Sequence, residues 1–129
     1  MHYIGRLDKS LYAAITDKIL TDEVIITDER IQHIIERRGQ AFYDEYHAYF
    51  PLIIAAPDYI FHDDRENTAL VCKSFEHKGV SVNLAVRLVV EGDNPQFKNS
   101  IITAVKENSK RFAQRLRNNT PIYSRIDNV

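Results

Sequence analysis

One stretch of this sequence places a residue that could move protons beside residues that bind anions. In residues 28–38, the spacing of Arg30, His33 and Arg37 puts all three on one side of a helix. A histidine titrates near neutral pH and is the most frequent general acid or base, and guanidinium groups bind phosphate. The same spacing also suits a helix in which His33 packs between helix and sheet and the arginines are solvated. From the residues alone, both interpretations stay open.

A second anion-binding residue stands in the most strongly alternating run of the chain, residues 80–91. Arg87 lies opposite the apolar side chains of that run. A strand fixes the direction of its side chains, so a guanidinium there can grip a phosphate with paired donors. A cross-strand salt bridge to Glu76, to Glu91 or to a nearby acidic residue flanked by lysine is the structural alternative.

The following run, residues 99–106, contributes hydroxyl and ammonium groups. Regular alternation predicts that Ser100 and Lys106 share one face of the strand and that Thr103 lies on the other. If the first face lines a cleft, Thr103 is structural, unless a β-bulge re-aims it.

The elements that must position these residues follow from the apolar pattern, which changes from helical to alternating at Pro57. Asp8 can cap a first helix carrying Leu7, Leu11, Ile15 and Ile19 on one face, after a short extended start. Residues 23–27 predict a short strand or an extended segment that leads into the next helix. A second helix begins at Thr27 and Asp28 and ends near Gly39, followed by a helical piece whose aromatic stripe we assign to the core: Tyr43, Tyr46, Tyr49 and Phe50.

The second half predicts a sheet. Four strands are expected at residues 58–62, 68–76, 80–91 and 99–106, antiparallel in the middle because residues 77–79 suit a hairpin turn. Asn108 or Ser109 can cap a basic helix, and a last short strand is expected at 122–126. The fold class is therefore α+β, and the 129 residues make one domain.

Composition narrows the functional classes. The single cysteine, Cys72, excludes an internal disulfide framework and a multi-cysteine zinc site. The sequence contains no glycine-rich phosphate loop, nucleophile-elbow motif or zinc-protease helix motif, which leaves chemistry without metal or cofactor. The longest apolar stretch, residues 51–57, is too short to span a bilayer, and the start lacks the apolar core of a signal peptide, so we expect no membrane association.

The net charge of −1 hides an uneven distribution. From Lys98 onward there are seven Lys or Arg residues against two acidic ones. This suits a ligand that carries phosphate, and it equally suits a solvated basic helix.

Several blocks in a fixed order resemble one nuclease superfamily: IQHI at 31–34, PDYI at 57–60, NTA at 67–69, VRL at 86–88, NSIIT at 99–103, LRNN at 116–119 and IYSR at 122–125. Nearly the whole chain is similar to the barnase, EndoU, colicin and RelE-like (BECR) nuclease domains of phage-associated and polymorphic-toxin proteins. The resemblance implies helices packed on one side of a four-stranded antiparallel sheet, with RNA lying across the sheet. It also implies a metal-independent endoribonuclease acting on cellular RNA, typically tRNA, and restrained by an immunity protein.

By this resemblance the match falls on five residues that we assign to catalysis: His33, Arg87, Ser100, Thr103 and Lys106. A further four are assigned to substrate binding: Arg30, Arg37, Arg111 and Tyr123. The expected products are a 2′,3′-cyclic phosphate and a 5′-hydroxyl. The partner of His33 in acid/base work is left open between His47, Tyr123 and the substrate itself.

Two other interpretations remain open at this point. One is a catalytically inactive RNA- or protein-binding module of the same fold. The other is a structural or packaging-associated phage domain in which Arg30, Arg37 and the basic helix bind a protein. A toxin-type domain would act in the cytoplasm, delivered there as the end of a larger secreted or phage-encoded chain.

Overall fold

The computed structural model describes residues 1–125, and the last expected strand falls partly outside them. The strands are β1 His2–Arg6, β2 Glu23–Ile26, β3 Tyr59–His62, β4 Thr68–Phe75, β5 Val80–Arg87, β6 Asn99–Asn108 and β7 Tyr123–Ser124. The helices are α1 Lys9–Tyr12, α2 Asp28–Arg38, α3 Gln40–Tyr46, α4 Phe50–Ala55 and α5 Ser109–Asn118, with short 3-10 turns at His47–Tyr49 and Glu76–Lys78.

The described strands form one mixed sheet in the order β1-β2-β6-β5-β4-β3-β7. The fold class is α+β, as predicted. The expected sheet of four antiparallel strands is wrong as a description of the whole, because β1, β2 and β7 extend it to seven strands and β2 pairs with β6 in parallel. Short extended segments are expected at all three places, but their two to five residues are too few for an alternating pattern to show that they join the sheet. The four central strands, β3 to β6, are antiparallel throughout.

Helix α2 begins and ends where its cap residues predict. The Thr27 hydroxyl accepts a hydrogen bond from the Arg30 amide at 3.2 Å, and Gly39 ends the helix with φ of +98°. A positive φ is sterically unfavourable for residues with a Cβ atom, and glycine has none. Beside β6, the Arg38 Nε donates to the Ala104 carbonyl at 2.9 Å, so α2 satisfies part of that strand's backbone where β2 no longer pairs with it.

The predicted first helix is wrong in length. Asp8 does cap it, accepting from the Ser10 amide at 3.0 Å, but α1 stops after four residues. The Thr16 hydroxyl accepts from the Lys18 amide, a local bond that competes with helix. Ile19 instead forms an isolated bridge with Val90.

The two faces of the sheet are covered differently. Helices α2, α3 and α4 pack their buried residues, Ile34, Phe42, Tyr46, Phe50 and Ile53 among them, on the face that carries Leu84 and Val86. We call this the helix face. On the opposite face α5 covers one end, where the Phe112 ring lies 5.5 Å from Tyr59 and 6.5 Å from Phe61. The placement of all helices on one side of the sheet is therefore not observed.

The aromatic stripe after Gly39 largely belongs to the core. Tyr46 and Phe50 are fully buried and Tyr43 packs against them, but Tyr49 is 39% exposed. No helix within residues 1–125 combines the length and the apolarity needed to cross a membrane.

Candidate functional site

A β-bulge in β6 decides which of its side chains share a face. Ser100 lies opposite Arg87 and Ile101 opposite Val86, but Ala85 is opposite Thr103, so Ile102 is the extra residue. The bulge puts Ser100 and Thr103 on the same face as Arg87. Lys106, the cross-strand partner of Val82, lies on the helix face. The prediction that Ser100 and Lys106 share a face is wrong, because regular alternation does not hold across the bulge.

The part of the second face that α5 leaves uncovered is here called the open face. One row of cross-strand partners crosses four of its strands, from Tyr3 through Ile25 and Ser100 to Arg87. Neighbouring strands lie about 4.8 Å apart, so the row is about 14 Å long. The next row along β5 and β6 contains Leu70, Ala85 and Thr103. The open face consists of these seven residues: Tyr3, Ile25, Leu70, Ala85, Arg87, Ser100 and Thr103.

The Arg87 guanidinium is held by its own chain but remains accessible. Its Nη1 donates to the Leu88 carbonyl, and its Nη2 lies 3.7 Å from an oxygen of Asp93. The side chain is still 39% exposed. Asp93 is fixed in turn, because the same carboxylate oxygen accepts from the Val90 amide at 2.9 Å. The salt-bridge alternative for Arg87 is thus partly realised, with a partner that the sequence analysis did not consider.

Two cavities open onto this face. The first, of about 530 Å³, lies at Arg87 and Ser100 and extends under the loop that carries Phe97. The second, of about 420 Å³, lies one row further at Thr103 and Ala85, and Arg115 lines its rim. The cavities occupy consecutive rows of the same two strands, and side chains two residues apart on a strand are about 7 Å apart.

Arg115 is positioned by a buried polar network. Its Nε and Nη2 donate to the two carboxylate oxygens of Glu107 at 2.8 and 3.0 Å, and Asn83 Nδ2 donates to the same carboxylate at 2.6 Å. Asn83 also accepts from the Ser81 hydroxyl. Burial by itself raises the pKa of Glu107, but the donors of Arg115 and Asn83 outweigh it, so the pKa lies below its ordinary value.

His33 does not share the open face. It is half-buried on α2, whose Ile34 belongs to the core on the helix face. Arg30 and Arg37 are exposed on the same helix, so the predicted cluster of one histidine and two arginines exists as a helix surface. The structure does not bring that cluster together with Arg87, Ser100 and Thr103.

The remaining predicted residues are dispersed. Arg111 is exposed on α5, and Tyr123 packs against the core from β7, at the sheet edge opposite β1. His47, one of the suggested partners of His33, donates from Nδ1 to the Tyr43 carbonyl at 2.7 Å and stacks on the Tyr43 ring at 4.8 Å. The catalytic and binding roles of all these residues stay predictions.

Two other kinds of reactive site would be a cysteine nucleophile and a metal-binding cluster. Burial raises the pKa of the Cys72 thiol, so the thiol is not ionised at neutral pH. Within residues 1–125, no three His, Cys, Asp or Glu side chains lie close enough together to hold a metal ion.

Sequence reasoning missed three residues of the site. Tyr3 and Phe97 are 59% and 60% exposed, and Ile25, the cross-strand partner of Tyr3, lines the first cavity together with Phe97. Phe97 could have been noticed, because it is the one aromatic residue in the polar loop of residues 91–98. Tyr3 and Ile25 could not, because their place depends on how β1 and β2 join the sheet. Comparisons with protein-family models, with curated proteins and with solved structures find no match for this chain.

Proposed function

We propose that this chain is a metal-independent endoribonuclease that binds a single RNA strand across the open face. The observation that carries the proposal is the bulge in β6. It turns both hydroxyls of the NSIIT block, Ser100 and Thr103, toward the face of Arg87. A guanidinium and two hydroxyls on rigid strands are the donors that a phosphodiester needs.

The exposed aromatic rings support RNA as the ligand. Single-stranded nucleic acid is bound by aromatic side chains that stack on bases beside cationic groups that hold the backbone. Tyr3 and Phe97 provide such rings, and Arg87 provides a cation in the first cavity. The four antiparallel strands β3 to β6 at the centre of the sheet are consistent with a fold of the BECR type.

The proposed reaction is a transesterification. A base takes the proton of the 2′-hydroxyl, and the 2′-oxygen attacks phosphorus. The bond from phosphorus to the 5′-oxygen then breaks, and an acid protonates the leaving oxygen. Arg87 stabilises the charge on the phosphorane. The resemblance assigns the acid/base work to His33 and a phosphate contact to Lys106. We add Arg30, Arg37 and Arg111 as further phosphate contacts, although all five of these residues lie outside the open face. By the same resemblance we propose tRNA as the substrate, a cognate immunity protein as the partner, and the cytoplasm as the place of action.

A second function is favoured by one specific observation, the place of His33 on the helix face rather than beside Arg87. A domain with a phosphate-binding face and no acid or base next to it would bind RNA without cleaving it. This is the inactive RNA-binding module of the same fold.

The test is incubation with total cellular RNA, tRNA included, in excess EDTA, followed by analysis of the fragments and their end chemistry. Wild type is compared with His33→Ala and Arg87→Gln. Lys9→Gln serves as the charge-matched control, since Lys9 is exposed on α1, which packs on the helix face through the bond from Tyr12 to the Ile54 carbonyl. Fragments with cyclic-phosphate ends that disappear in His33→Ala and Arg87→Gln, but not in the control, are the expected result.

Intact RNA that is nevertheless bound, with affinity lost in Arg87→Gln alone, would replace the ribonuclease with the binding module. RNA that is neither cleaved nor bound by folded wild-type protein would contradict both functions.

A further inference from the structure

The cavity at Arg87 has two chemically different ends. Its inner wall is apolar and formed by Ile25, Leu88 and Val89, while Phe97 borders it from the loop. Its other end carries the Arg87 guanidinium and the Ser100 hydroxyl, with the Asp93 carboxylate 3.7 Å from Arg87 and held by the Val90 amide. Pockets for small organic ligands commonly have this design, an apolar body with a few polar groups that fix orientation.

The exposed position of Phe97 is the second feature of this cavity. Its ring is 60% exposed although it lies next to an apolar wall with room to bury it. The backbone around it is well fixed, because the Phe97 amide donates to the Asn94 carbonyl and Lys98 pairs with Glu23 at 2.5 Å. A planar ligand entering the cavity would cover this ring and the Ile25 side chain together.

The polar end suits an anion. Arg87 and Ser100 are direct cross-strand partners, so their Cβ atoms lie about 5 Å apart and both side chains can contact the same ligand group. Beyond Ser100, Lys98 adds a second cation at the rim, though it is paired with Glu23.

We infer that this cavity is a binding site for one nucleotide, with the base between Phe97 and Ile25 and the phosphate on Arg87 and Ser100. The inference rests on the proposed function and names the unit of RNA that the open face takes up. The volume of about 530 Å³ lies within the range of about 300–1,000 Å³ that holds small organic ligands. The base leaves its neighbours and enters the cavity, and the rest of the strand continues toward Thr103 or Tyr3.

The experiment measures the binding of adenosine, guanosine, cytidine and uridine 3′-monophosphates, of the four nucleosides, and of inorganic phosphate by calorimetry. The proteins are wild type, Phe97→Ala and Arg87→Gln. Tyr49→Ala is the aromatic control, because Tyr49 is also exposed but belongs to the helix face.

Phe97→Ala should weaken nucleotide binding about tenfold, since it removes a stacking contact, and should leave phosphate binding unchanged. Arg87→Gln should weaken both nucleotide and phosphate about tenfold and leave nucleosides unchanged. Tyr49→Ala should bind all three ligand classes like wild type. A Phe97→Ala protein that binds nucleotides as wild type does, or that loses phosphate equally, would overturn the inference.

RNA binding by the same proteins separates the inference from the proposed function. If wild type binds RNA and Phe97→Ala binds both RNA and nucleotides unchanged, the nucleotide site is wrong and the RNA function survives. If nucleotides bind as described and RNA does not, the site stands and the RNA function falls. If neither nucleotides nor RNA bind to the folded protein, both are wrong.

Discussion

Arg87 shares its guanidinium with a carboxylate of its own chain, and this has a consequence for binding. Asp93 lies 3.7 Å from Nη2, where it competes with an incoming phosphate. Asp93→Asn removes the charge and keeps an oxygen for the Val90 amide. We expect RNA affinity to rise about fivefold, because a like charge at a half-exposed site costs about 1 kcal/mol.

Glu91→Gln is the control for this variant. It removes the same charge from the same loop, but Glu91 is exposed and forms no described contact with Arg87. Measurement of both dissociation constants at one salt concentration separates the local contact from net charge. Equal gains in the two variants would show that Asp93 has no special place.

The pair of Glu107 and Arg115 predicts a dependence of stability on pH. The pKa of Glu107 is lowered in the folded protein: burial opposes ionisation, but the donors of Arg115 and Asn83 outweigh it. The stabilisation is therefore complete above the ordinary value of 4.5 and is lost as pH falls through the lowered pKa.

Glu107→Gln should lower the free energy of unfolding at pH 7 by about 1–3 kcal/mol, since the charged Arg115 loses its partner. The difference from wild type should shrink toward pH 3. Urea unfolding at the two pH values measures it. A difference that is the same at both values would mean that the carboxylate charge contributes nothing.

Properties that depend only on neighbouring residues in the chain can be predicted from the sequence. Capping by Thr27, Asp8 and Asn108 is confirmed, because a cap depends only on residues close by in the chain. The exposed position of Arg87 on the polar face of its strand is likewise a local property. Its pairing with Asp93 depends on the course of the 88–98 loop, which periodicity does not describe.

Among the elements, the junction of β2, β6 and the segment after β5 depends on Asn99. Its Nδ2 donates to the carbonyls of Thr21 at 2.7 Å and Glu23 at 3.0 Å, and its Oδ1 accepts from the Val89 amide at 2.8 Å. The residue is fully buried, so each of these groups would be left without a partner if the amide were removed.

Asn99→Ala should therefore lower the free energy of unfolding by about 2–3 kcal/mol. Asn118→Ala, at an exposed site at the end of α5, should change it by less than about 0.5 kcal/mol. Denaturant unfolding of the two variants tests this. An Asn99→Ala protein as stable as wild type would show that water replaces the lost bonds.

The bounds of the strands were predicted from the sequence with unequal accuracy. The long run of β4, predicted at residues 68–76, agrees with the observed bounds to within one residue. The run through residue 91 was too long, because β5 ends at Arg87 although apolar residues continue. The sequence allows a bulge in β6 but does not predict one. Its position at Ile102 is defined by the pairing of β6 with β5, and no residue pattern within β6 indicates it.

Across the whole molecule, fewer of the basic residues from Lys98 onward are free to bind an anion than the sequence suggests. Lys98, Arg115 and Arg125 are paired with Glu23, Glu107 and Asp58. What remains exposed lies mainly on α5, at one end of the open face. The basic last quarter of the chain thus predicts attraction of RNA to this end of the molecule, but the sequence cannot show which of its charges are neutralised by a partner.

The salt dependence of RNA binding follows from these charges. We expect the affinity for a single-stranded oligonucleotide to fall as salt rises from about 0.05 to 0.2 M, because phosphate contacts release counterions. Arg87→Gln should reduce the slope of log affinity against log salt by about 0.7, the value of one contact. An unchanged slope in this variant would place the phosphate elsewhere.

We expect the RNA backbone to be held on the open face of the sheet, at Arg87, Ser100 and Thr103. The most direct measurement is a backbone amide NMR titration of the ¹⁵N-labelled protein with a short single-stranded RNA in EDTA. A substrate blocked by 2′-O-methyl groups prevents cleavage. We predict that the largest shift changes fall on β6 around Ser100 and Thr103, on Arg87 and on the loop of Phe97. Changes confined to α2 or α5, with Arg87 and Ser100 unaffected, would contradict RNA binding on the open face.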